Sequence, residues 1–171
     1  ASSMPSYDLS GLSDAPASGN PSFAYAFRNL SAVKWVTQAS ADGTSPEKVP
    51  GLPVSEIASV ASGDIALEAA SGLILPREWN ISSTLDLRGM FFGCTALEVA
   101  YLPGLIQRSR PVADSLFEGC TSLWHAALVT PLSSTASPSS VTSMKRMFAD
   151  CPNLTEVDLR GVGTAYVDLA G

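Results

Sequence analysis

An eight-residue segment is written three times in this chain. It reads Met90-Phe91-Phe92-Gly93-Cys94-Thr95-Ala96-Leu97, then Leu116-Phe117-Glu118-Gly119-Cys120-Thr121-Ser122-Leu123, then Met147-Phe148-Ala149-Asp150-Cys151-Pro152-Asn153-Leu154. Phe, Cys and Leu keep fixed offsets in all three, and the cysteines stand 26 and then 31 residues apart. A unit of that length cannot bury its apolar face alone. It must stack on copies of itself, so the period predicts a solenoid and excludes most enzyme folds.

The third copy shows what one unit should look like. Met144, Met147, Phe148 and Cys151 fall at helical spacing, with Lys145, Arg146, Ala149 and Asp150 elsewhere. Ser143 can cap a helix there, and Pro152 disfavours helix at Cys151 and turns the chain. Val157 and Leu159 then follow at the strand period of two. The expected unit is a short helix, a turn and a short strand, giving an α/β solenoid with a parallel sheet on one face. Leu97, Ala100 and Leu102 match Leu154, Val157 and Leu159, as do Leu123, Ala126 and Leu128. The long step between the last two units is an insertion over 132–140.

Weaker copies precede these. Phe27-Arg28-Asn29-Leu30 has Leu where Cys would stand, Tyr7-Asp8-Leu9 resembles Val157-Asp158-Leu159, and Asp64 to Ala70 echoes Cys94 to Ala100. Residues 40–60 read as a loop and a degenerate helix. The whole chain, 1–171, is therefore read as one solenoid: degenerate repeats over 1–80, regular repeats over 84–162 and a terminal segment over 163–171.

Composition narrows the function. Charged residues are 15% of the 171, below the roughly one quarter usual in soluble domains, and the net charge is −6. The basic pairs Arg108/Arg110 and Lys145/Arg146 make no nucleic-acid footprint. No apolar stretch reaches the ~20 residues needed to span a bilayer. The segment contains no signal peptide or anchor; beginning as it does in a Ser/Pro-rich run, it suits a mature or trimmed chain. The three cysteines share one repeat position and should form a ladder of buried, reduced thiols. A Cys94–Cys120 disulfide stays open only if stacking brings their Cα atoms to about 4.4–6.8 Å. Zinc is excluded by spacing and by the single histidine. Asp86, Asp114, Asp150 and Asp158 recur near element ends, where capping and turn bonding account for them; no calcium loop pattern occurs.

The run Val141-Thr142-Ser143-Met144-x-x-Met147-Phe148-x-x-Cys151-x-x-Leu154-x-x-Val157-Asp158-Leu159 resembles the BspA-type leucine-rich repeat of bacterial surface proteins. The likeness covers 84–162 well and the first 80 residues loosely, since the early copies lack Cys. It implies a leucine-rich-repeat-like stack in a secreted or surface-anchored bacterial protein. It also implies a role in adhesion, binding a host or neighbouring-cell protein or glycan, with no cofactor and no metal.

Repeat-motif residues are structural, so a binding site belongs on variable positions. The strand positions facing away from the core form two columns: Trp35, Ala69, Val99, His125, Glu156, and Thr37, Ser71, Tyr101, Ala127, Asp158. Solenoids commonly bind through such a sheet face, and exposed aromatics are typical anchors. The candidate ligand-binding residues are Trp35, Tyr101, Trp124, His125, Glu156 and Asp158; loops covering the aromatics would remove them from contact. No nucleophile-elbow pattern accompanies the sole histidine, and Glu98, Glu156 and Asp158 lie on different repeats. The chain is read as a binding module and not an enzyme. A structural spacer within a larger surface protein is the alternative.

Overall fold

A computed structural model describes residues 4–8, 22–39, 57–60, 71–75, 86–102, 112–128, 139–140, 143–160 and 162–163. Nine strands occur there: β1 (Met4–Asp8), β2 (Trp35–Gln38), β3 (Ile57–Val60), β4 (Gly72–Leu75), β5 (Val99–Tyr101), β6 (His125–Ala127), β7 (Ser139–Ser140), β8 (Glu156–Asp158) and β9 (Val162–Gly163). Seven of them form one parallel sheet in the order β3-β1-β4-β2-β5-β6-β8, and β7 pairs with β9.

The sheet's register places equivalent repeat residues side by side. Val99 lies opposite His125 and His125 opposite Glu156; Ala100, Ala126 and Val157 form the next row. Alternation then sorts the faces. Leu73, Val36, Ala100 and Ala126 belong to the main core, whereas Trp35, Ile74 and Val99 pack as a separate cluster on the other face.

The helices expected over the Phe-x-x-Cys segments are absent among the described residues. In their place each segment is a run of overlapping β-turns, hydrogen-bonded to its neighbour. Within one run Met90 N–H donates to Leu87 C=O, Phe92 to Gly89 and Cys94 to Phe91. The intervening amides point to the next run: Leu87 donates to Val112, Gly89 to Asp114, Phe91 to Leu116 and Gly93 to Glu118. Arg88 N–H bonds to the Asp86 carboxylate at 3.1 Å, so each backbone donor from 87 to 94 has a partner, as burial requires. This geometry needs a left-handed residue every fourth position. Tyr25 and Asn29, Gly89 and Gly93, Ser115 and Gly119, and Arg146 and Asp150 supply it, with φ between 55° and 77°. The apolar spacing of three and four fits this turn wall as well as it fits a helix, which is why periodicity misassigned it. Ser143 caps no helix; its hydroxyl donates to the Asp114 carboxylate in the preceding run.

The core lies between turn wall and sheet. Phe27, Phe91, Phe117 and Phe148 stack with centroids 5.8, 5.5 and 5.7 Å apart. The cysteines form a second ladder beside them. Cys94, Cys120 and Cys151 each donate an S–H to the Phe carbonyl of the run before, at 3.1 Å. Phe91 C=O thus accepts both Cys94 N–H and the Cys120 thiol, which uses both of its lone pairs. All three cysteines are free; Cys94 and Cys120 are buried and Cys151 is half-buried.

The first half departs from the expected register. Strand β4 begins at Gly72, and it is Gly72 and Ile74 that stand opposite Trp35 and Thr37, where the sequence columns put Ala69 and Ser71. β4 also lies beyond β2 and next to β1, not between β2 and β5, so chain order and sheet order differ there. Residues 57–60, read as loop or helix, are strand β3. The Tyr7-Asp8 segment is a strand as expected, within β1. The 64–70 copy and most of the 132–140 insertion lie outside the described residues.

Candidate functional site

The outward face of β5, β6 and β8 gathers five of the six candidate residues. His125 follows Val99 in the outward row and Glu156 follows His125; Ala127 and Asp158 are opposite each other in the next. His125 is nearly buried, its side chain 7% exposed, while the Glu156 side chain is 64% exposed. The imidazole Nδ1 lies 3.0 Å from Glu156 Oε2, a contact that fixes the ring's orientation. The Trp124 ring packs beside it at 5.4 Å and is half-buried, as is Tyr101.

Sequence reasoning placed Trp35 on a solvated surface, and this is corrected. Trp35 does face outward, but it is fully buried (0% exposed) with Ile74 and Val99, and the partly buried Trp124 packs against the three. Its indole lies flat over Gly72, where an added Cβ would come within 2.1 Å of the ring. A large ring on one strand thus demands a bare backbone on its neighbour. Trp35 is a packing residue of a sheet buried on both faces, and the contact patch contracts to Tyr101, Trp124, His125, Glu156 and Asp158.

Among the described residues two polar atoms on this face are buried without a hydrogen-bond partner: Trp35 Nε1 and His125 Nε2. Such groups are rare because each costs about 1–3 kcal/mol. Asp158 has a local partner. Arg160 grips it with Nε at 2.9 Å and Nη2 at 2.6 Å, and this bonding lowers the carboxyl below its usual range. Asp86 and Arg88 repeat the arrangement, with Nη2 to Oδ2 at 2.8 Å. Asp114 accepts Lys145 N–H at 2.8 Å, so three of the four recurrent aspartates do serve turns.

A carboxylate-oriented imidazole with an unbonded Nε2 is also the resting half of a catalytic dyad; among the described residues no Ser, Thr or Cys side chain bonds to it. Among the described residues no group of His, Cys, Asp and Glu is arranged to hold a metal ion, and no helix is long and apolar enough to cross a membrane. The site missed by sequence reasoning was the His125–Glu156 pair as a unit. Its signal was there: one repeat step separates the two residues in the same column. Comparison with protein-family models, curated proteins and solved structures finds no significant match.

Proposed function

We propose that this chain is a leucine-rich-repeat-like solenoid of the BspA type, acting as a secreted or bacterial-surface recognition module. Its binding corner is Trp124, His125 and Glu156, flanked by Tyr101 and Asp158. The partner is a protein or glycan of a host or neighbouring cell, and no bond is made or broken. The repeated Phe-x-x-Cys units and their row-by-row register support the solenoid reading. The observation that carries the binding reading is His125: a ring held by Glu156, nearly buried, with its second nitrogen unpartnered beside a half-buried Trp. That nitrogen is itself out of solvent contact, so a partner meets the groups around it: the exposed Glu156 carboxylate and the half-buried Trp124 ring, both held in place by the histidine. Aromatic residues beside it supply contact area for little lost side-chain entropy.

The test is retention on a glycan array and on immobilised extracellular-matrix proteins. Trp124→Ser and Glu156→Gln should each weaken retention at least tenfold; Glu156→Gln should leave the unfolding midpoint nearly unchanged, because that side chain is mostly exposed, whereas Trp124→Ser should also lower it, because the ring packs against the Trp35 cluster. Retention by both variants equal to that of the native chain rejects the corner as the site. No retention of the native chain on either surface favours the spacer.

A further inference from the structure

The outward corner of the sheet holds negative charge that the chain does not itself neutralise. Backbone hydrogen bonds set Lys34, Glu98, Trp124 and Thr155 in one row just ahead of the strands. Glu98 N–H donates to Lys34 C=O at 2.7 Å, Trp124 to Glu98 at 3.0 Å and Thr155 to Trp124 at 3.1 Å. The row after it holds Val99, His125 and Glu156. Neighbouring parallel strands stand about 4.8 Å apart. Trp124 therefore has Glu98 one strand before it and Glu156 one strand after it.

Carboxylates elsewhere are matched. Asp86, Glu118 and Asp158 each accept an arginine Nη2, at 2.8, 2.6 and 2.6 Å. Glu98 is exposed, and its side chain has no partner among the described residues. Glu156, its side chain 64% exposed, has the His125 imidazole, which in its neutral form orients the carboxylate and leaves its charge. Lys34 is exposed too and pairs with neither glutamate. Counting it against Glu98 still leaves Glu156 unbalanced.

The ring between the two glutamates is held. Trp124 packs against Trp35, Ile74 and Val99 and lies 5.4 Å from the His125 ring, yet it is only partly buried. An aromatic face attracts a cation through its quadrupole, and flanking carboxylates balance the cation's charge. A neutral sugar would stack on the ring and make no use of that charge, and an anionic one would be repelled.

We propose that the partner of this corner is a protein that presents a basic side chain, lysine or arginine, to the Trp124 ring, with Glu98 and Glu156 as its counter-charges. This partner rests on the reading of the corner as a binding site and adds Glu98 to it.

The probe is a Gly/Ser peptide bearing several lysines, compared with its arginine counterpart and with the lysine peptide fully acetylated. The readout on the full chain is the Trp124 indole N–H signal in NMR, identified as the one missing from Trp124→Phe. Both cationic peptides should shift it saturably, and the acetylated peptide should not. Glu98→Gln and Glu156→Gln should each weaken the lysine peptide's affinity by about threefold or more. Asp150→Asn, which removes an exposed charge from the turn wall, should leave it unchanged. An equal shift by the acetylated peptide overturns the proposal, and so does an affinity that Glu98→Gln leaves intact. An equal loss in Asp150→Asn overturns it as well, because net charge alone would then account for the attraction. Retention on the glycan array that depends on Trp124 and Glu156, with no shift by either cationic peptide, rejects the basic partner and keeps the corner. No binding to glycans, matrix proteins or peptides rejects both.

Discussion

At the residue scale, two kinds of side chain define the repeat, and both act through the backbone. The cysteine is a donor to a buried carbonyl as well as a small apolar filler. Burial pushes the Cys94 thiol up from 9.0 to about 11 and raises Cys120 too, against weaker lowering by backbone hydrogen bonds; Cys151 moves the same way. The neutral thiol is therefore favoured in the fold. That stability is fully present below pH 9.0 and is lost as pH climbs towards 11, where the folded thiol ionises. The urea midpoint should fall over that window, and less so in Cys94→Ala; identical alkaline slopes for the two proteins would remove the thiols from the account. Exposure sets a second expectation. A thiol reagent should modify half-buried Cys151 in the native state and spare Cys94 and Cys120. Uniform rapid labelling of all three would mean that the ladder is not packed as described.

At the scale of the element, the turn run and its strand depend on their neighbours. Phe117 sits between Phe91 and Phe148 in the stack, fully buried. Phe117→Ala should cost about 3–5 kcal/mol in equilibrium unfolding, and a loss under about 1 kcal/mol would exclude it from the core. Ion pairs tie the runs from outside. Arg146 Nη2 reaches Glu118 of the previous run at 2.6 Å and holds its carboxyl below the usual range, as Arg88 does for Asp86. A depressed carboxyl stabilises the fold above its ordinary value and loses that contribution as pH falls through its folded one. Thermal stability should thus drop below about pH 4, and Glu118→Gln should soften the drop. The strands near 99, 125 and 156 were legible in the sequence because alternation after each Leu has one reading. The turn runs were not, because a spacing of three and four belongs to both a helix and tandem turns. The cue that separates them stands before the Cys position: Asn29, Gly93, Gly119 and Asp150 are all types that tolerate positive φ.

At the scale of the whole molecule, the sheet is buried on both faces where β2 and β4 meet, all four residues of each being buried. Parallel sheets covered on both sides behave this way. Trp35→Ala should therefore destabilise by about 3–5 kcal/mol, and a change near zero in the melting transition would restore Trp35 to the surface. This part of the site was illegible because Gly72 has no side chain to announce that a ring lies on it, and repeat spacing pointed to Ala69 instead. The exchanged order of β1, β4 and β2 was hidden for a similar reason: backbone pairing leaves no mark on a degenerate copy. What unites the molecule is the wall of stacked turns, and Gly119 offers its sharpest test. In a helix, Gly→Ala stabilises by roughly 1 kcal/mol. Here Gly119 has φ +77°, while an added Cβ meets nothing closer than 3.5 Å, so only backbone conformation is probed. Gly119→Ala should lower the unfolding free energy measured in urea by about 1–2 kcal/mol; a gain in stability of similar size would contradict the turn wall and restore the helix.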